Sequence, residues 1–129
     1  MVFFDAISTG HRGYSTVHAD NSFNTVNRLV TLMKRDVKAQ MYTEEYLKKL
    51  LSLSLDLIIY MENFKVKEIV EVGYDEEKND ITYLSLYEFK IENYKEGKIK
   101  GKFKKMNKPM GKVKKKIELN KLDIERLKK

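Results

Sequence analysis

The spacing of apolar residues changes once along this chain, and the change dictates a two-part architecture. Before about residue 64 they recur at helical intervals: Phe23, Val26, Leu29, Val30 and Met33, then Leu47, Leu50, Leu51 and Leu55. Such intervals line one face of a helix, so helices are predicted over 22–36 and from Thr43 onward. Asp20-Asn21-Ser22 and Thr43-Glu44-Glu45 supply the short oxygens and acids that suit helix starts. From Val66 the period becomes two. Val66, Val70, Val72 and Tyr74 share a parity that breaks near Glu68-Ile69, and Ile81, Tyr83, Ser85, Tyr87 and Phe89 alternate after the turn 75–80. An antiparallel hairpin follows, and Ile99, Gly101 and Phe103 predict a third strand. Tyr14–Ala19 reads as a short strand, Leu57–Tyr60 as a buried strand after the second helix, and a basic helix is expected after Pro109. The layout is mixed α/β in front and a small antiparallel sheet behind.

Charge is as unevenly spread as hydropathy. The 129 residues carry a formal net charge of +7, yet residues 1–94 hold 11 basic and 15 acidic side chains. Residues 95–116 hold 11 lysines and one glutamate. Any attraction to a polyanion therefore belongs to that segment. The chain has no cysteine, which excludes disulfides, thiol catalysis and Cys-ligated zinc. Its longest unbroken apolar run, residues 57–61, is far short of the roughly 20 residues that a membrane-spanning helix needs. Met1–Asp5 lacks a basic stretch and meets an acid at once, so no signal peptide is expected and a cytoplasmic location is.

The densest chemistry lies in Thr9-Gly10-His11-Arg12-Gly13-Tyr14-Ser15-Thr16-Val17-His18-Ala19-Asp20-Asn21, which holds both histidines of the chain. A Gly-bearing turn brings backbone N–H groups close to an anion, and His, Ser and Thr can donate to phosphate oxygens. The same residues also suit a plain turn with two surface histidines, and the sequence leaves both open. Asp20 and Asn21 read as helix caps rather than ligands. Glu62, Glu68 and Glu71 are spread over several elements without histidine partners and read as hairpin surface charge, so no metal site is expected.

Thr9-Gly10-His11, Gly13, Ser15-Thr16-Val17-His18-Ala19-Asp20-Asn21 and a helix containing Asn27-Arg28-Leu29 resemble the histidine box of the type II/type IV secretion-system ATPases. These are the hexameric traffic ATPases of conjugation and of Flp-type pilus assembly. Residues 55–60 sit where that family has its strand after the next helix. Residues 67–73 resemble its hairpin start, x-x-I-x-E-V-x-G, and residues 83–89 its strand L-x-D-L-F-x-F. Residues 97–103 resemble its closing strand G-x-x-x-G-x-F. The likeness runs in order over residues 3 to 118. The two histidines are seven positions apart, the interval of pilus-retraction relatives rather than of many secretion-branch members.

The resemblance implies the C-terminal portion of a RecA-like P-loop NTPase domain over residues 1–64. An antiparallel extension with a C-terminal helix would occupy 65–129. It implies that His18 senses the γ-phosphate with His11 beside it, and that Thr9, Gly10 and Thr16 shape that site. Arg28 would sit near the neighbouring protomer, and its residue-level reading as a solvated helix charge stays open. ATP and Mg2+ would be cofactors of the whole enzyme. The partners would be further copies in a hexamer and inner-membrane secretion or pilus-assembly proteins, at the inner face of the cell membrane. A motor of this kind needs a phosphate loop G-x-x-x-x-G-K-[ST]. The Gly-Lys pairs at 97–98, 101–102 and 111–112 lack the earlier glycine and the following hydroxyl, and no acidic Walker B strand precedes the histidine box. The expectation is a C-terminal motor fragment with no ATP turnover or tight nucleotide binding of its own.

A second reading rests on Lys98, Lys100, Lys102 and Lys104, which alternate along the third strand and make one face of it basic. A stand-alone module holding nucleic acid or an anionic membrane surface through them would bind less tightly as salt rises. A solvated lysine face is the bland alternative. Phe103, the one aromatic interleaved there, is expected to point into the core.

Overall fold

The computed structural model describes residues 13–95 and 97–121. The elements run α1 (Ser22–Met33), a 3-10 helix (Val37–Met41), α2 (Glu44–Ser54), β1 (Leu57–Glu62), β2 (Lys65–Asp75), β3 (Asp80–Lys95), β4 (Lys98–Lys105) and α3 (Lys112–Leu119). The four strands form one antiparallel sheet in the order β1-β2-β3-β4. β1, expected to be buried, is instead an edge strand that buries only Ile58, because no layer covers its other face.

The first two helices begin where the sequence supplies an acceptor. Asn21 Oδ1 takes the Asn24 N–H at 2.7 Å and Thr43 Oγ1 takes that of Tyr46 at 3.2 Å, satisfying donors that a first turn otherwise leaves orphaned. α1 stops at Met33, short of the expected 36, because the chain turns into the 3-10 helix, whose cap Asp36 accepts from Lys38 N–H at 2.9 Å. α3 starts at Gly111, whose φ of +71° and ψ of −135° suit glycine alone.

Residues 14–19 correct the first strand expected from sequence, for they belong to no helix or strand and Tyr14 is 94% exposed. β-branched composition says that a residue fits a pleated surface, not that a neighbouring strand is there to take its N–H and C=O groups. The four described strands pair only with one another.

One face of the sheet is covered by the helices. Ile58, Val72 and Ile81 pack there with Val26, Val30, Met33, Ala39, Leu47 and Leu51. Ile58 lies opposite Val70, and Val72 opposite Tyr83, which puts all four on the covered face. The alternate residues Ile69 and Glu71 therefore face the other way. Three register shifts interrupt the ladder, at Tyr60/Met61, Ile69/Val70 and Ile91/Asn93. The second puts its extra residue, Leu86, on β3, without a partner on β2.

β3 is 16 residues long because it serves two partners in succession. Its first half pairs with β2 as far as Glu88, and β4 pairs from Tyr87 to Lys95. The far end of the β3–β4 hairpin thus runs past the helix layer. Ile91 and Ile99 there are 62% and 43% exposed. After β4 the chain reaches the uncovered face, where the Met110 N–H meets Glu71 at 2.7 Å. α3 then starts beside the junction of α2 and β1.

Candidate functional site

The segment that carries the sequence's histidine-box candidates enters the fold at the N-terminus of α1. Ser22 Oγ donates to Glu68 Oε2 at 3.1 Å, tying the first turn of α1 to β2. The Phe23 and Tyr83 rings meet at 5.1 Å. Asn21, Ser22, Phe23, Glu68, Val70 and Tyr83 line a hollow of about 180 Å³. Burial, helped by the negative charge of Asp80, pushes the Tyr83 phenol up to about 12. Tyr83 therefore stays a neutral phenol at any ordinary pH.

His18 and Thr16 are exposed in the irregular segment before this hollow, and Arg28 is exposed on α1. Among the described residues no hydrogen bond or ion pair joins these three. His11, Thr9 and Gly10 lie outside the described residues. Asn21 is the cap of α1. No group of three or more metal-ligating side chains occurs among the described residues, and Glu68 adds a carboxylate to the lining of the hollow.

The lysines divide into two kinds. Lys98, Lys100, Lys102 and Lys104 are exposed and share one face of β4. They lie opposite Lys95, Asn93, Lys90 and Glu88 respectively. Glu92 approaches Lys102 at 4.0 Å and Glu88 pairs with Lys90 at 2.6 Å, so the basic row is only partly compensated. The hydrogen bond from Lys90 holds the Glu88 carboxyl below its usual range. Lys112 is different. Its Nζ donates to the carbonyls of Ser52 and Leu55 at the end of α2, 3.8 Å from Asp56. Burial lowers its ammonium, the nearby Lys116 adds to the effect, and Asp56 and Glu71 oppose it.

Two expectations are corrected here. Glu71, read as hairpin surface charge, is 4% exposed and accepts the Met110 N–H. Phe103, expected in the core, is 44% exposed and lies on the face turned away from the helices. Its ring is stacked on Tyr87 at 5.4 Å and 4°. Both outcomes follow from where the helices stop: strand parity fixes a side chain's face, whereas only a neighbouring layer decides whether that face is wet. The sequence signal for the Glu71 contact was the Pro109-Met110-Gly111 turn, which brings the chain back over β2.

Among the described residues no helix is long and apolar enough to cross a membrane. Compared with protein-family models, curated proteins and solved structures, the chain matches none.

Proposed function

We propose that this chain is the C-terminal, histidine-box portion of a hexameric traffic ATPase of the type II/type IV secretion family, and that it does not turn over ATP by itself. The observation that carries the reading is the order of elements. A helix bearing Asn27-Arg28-Leu29 follows the histidines, and a second helix follows that one. β1, β2, β3 and β4 then fall on the four segments that resemble the family's successive strands. That order is the one the resemblance implies, and this agreement supports the assignment.

On this reading residues 1–64 end a RecA-like segment and 65–129 extend it, with β1 (Leu57–Glu62) already the edge strand of the antiparallel sheet. His18, with His11, Thr9, Gly10 and Thr16, serves a γ-phosphate bound by parts of the motor that these residues do not supply, and Arg28 faces a neighbouring protomer. ATP and Mg2+ belong to the whole motor. The partners are other copies and membrane-bound secretion or pilus-assembly proteins, met at the inner face of the membrane.

The test has two parts. ATP turnover by the 129-residue chain should stay at the buffer blank. When the chain is expressed in frame with the coding region upstream of Met1, turnover should appear. His18→Ala in that longer protein should lower it by about 100-fold while the hexamer persists on a sizing column. Robust turnover by the 129 residues alone, or full turnover in His18→Ala, would overturn the reading.

A further inference from the structure

The face of the sheet turned away from the helices carries a row of rings where β3 and β4 meet. Cross-strand register puts Tyr87 opposite Ile69 on one side and Lys105 on the other, and Phe89 opposite Phe103. These side chains therefore share one face. The Tyr87 and Phe103 rings are parallel within 4° at 5.4 Å. Phe89 lies over Gly101, where an added Cβ would fall 2.5 Å from the ring and 2.5 Å from the Lys90 carbonyl oxygen. The missing side chain at Gly101 is what lets Phe89 lie down against the backbone. Lys67 Nζ sits over the Phe89 ring, 4.6 Å from its centre.

We propose that this row, Tyr87, Phe89 and Phe103 with Lys67 and Lys105 at its margins, binds single-stranded nucleic acid by stacking its bases. Three observations converge on that ligand. Phe103, 44% exposed and held parallel to the half-buried Tyr87, offers a π-surface to other planar rings, and such stacking tolerates any base. Among the described residues neither Lys67, whose ammonium lies over the Phe89 ring, nor Lys105 is neutralised by a carboxylate, so both charges can attract phosphates. Residues 88–105 hold seven lysines and three glutamates, and the hairpin as a whole attracts a polyanion. A duplex keeps its bases stacked inside, so a face of this kind selects the single strand. An anionic lipid surface would use the lysines but would place no demand on the mutual orientation of the rings.

The site differs from the Lys98, Lys100, Lys102, Lys104 row, which lies on the opposite face of β4. It also stands apart from the motor assignment, and either can fail alone.

The experiment is fluorescence anisotropy with the full 129-residue chain and labelled 15-mers of dT and of U, beside a 15-base-pair duplex and vesicles containing phosphatidylserine. Binding of the single strands, at least about tenfold tighter than the duplex and weakening between 50 and 200 mM salt, is the expected result. A preference between the two single strands names DNA or RNA as the source. Phe103→Leu keeps an apolar side chain without a π-face and should cost about tenfold in affinity at an unchanged thermal midpoint. Lys67→Ala leaves the core untouched and should lower the slope of log affinity against log salt by about one. The proposal falls if the duplex binds as tightly as the single strand, or if Phe103→Leu keeps full affinity while replacing Lys98, Lys100, Lys102 and Lys104 with Ala abolishes it. Binding to vesicles alone would also overturn it.

Discussion

A carboxylate that water does not reach must find its donors within the protein, and Glu71 finds one in the Met110 N–H. The contact joins residues 39 apart in sequence and fastens the segment after β4 to the uncovered face of β2. Lys112 makes the second fastening, on the carbonyls of Ser52 and Leu55 that α2 leaves unpaired at its end. The two act together, because a half-buried ammonium is tolerable only where carbonyls and carboxylates surround it. Replacing Glu71 with Ala leaves the Met110 N–H without its acceptor and should cost about 1–3 kcal/mol. Glu71→Gln, which keeps an acceptor oxygen, should cost less. Urea unfolding of the two variants measures both, and equal losses would show that the hydrogen bond is not what holds the segment.

At the scale of elements, the β1–β2 hairpin shows a cost accepted in its turn. Asn63 and Phe64 both have positive φ, 50° and 61°, as the mirror-image turns of tight hairpins require. Asparagine takes this conformation readily, whereas phenylalanine is a genuine outlier there. Phe64 is also fully exposed, so packing returns nothing for the strain. Glycine at 64 removes a penalty of about 1–2 kcal/mol and adds about 0.5–1 kcal/mol of chain entropy to the unfolded state. Phe64→Gly is therefore expected to stabilise the protein slightly, read as a higher urea midpoint. A lower midpoint would mean that the aromatic ring has a partner.

The whole molecule has a gradient of stability built into its layers. Val70 and Val72 are buried between helices and sheet, while the far end of the β3–β4 hairpin pairs on one side only and leaves both faces in water. A two-stranded ribbon without a covering layer is marginal by itself. Amide hydrogens at 89–95 and 98–104 should exchange at least about tenfold faster than those of Val70 and Val72 in native-state hydrogen exchange. Equal protection would mean that the hairpin opens only when the molecule unfolds. Exposed lysines along β4 also keep that edge from pairing with another chain. β1 at the opposite edge, Leu57-Ile58-Ile59-Tyr60-Met61-Glu62, has no such protection and is the side on which a further strand could add.

Periodicity alone determined the two long helices, the strands from residue 66 on and the basic face of β4, because each reflects a spacing written into neighbouring residues. The caps at Asn21 and Thr43 were equally legible, since a cap is chemistry between residues three apart. Only the tertiary structure decided which strand faces are dry. It left residues 14–19 without a partner strand, hid Glu71 under a segment 39 residues away, and turned Phe103 out beside Tyr87 and Phe89. The physical reason is common to all three. Burial and pairing depend on what lies across the gap, and nothing in a residue's own neighbourhood along the chain encodes that.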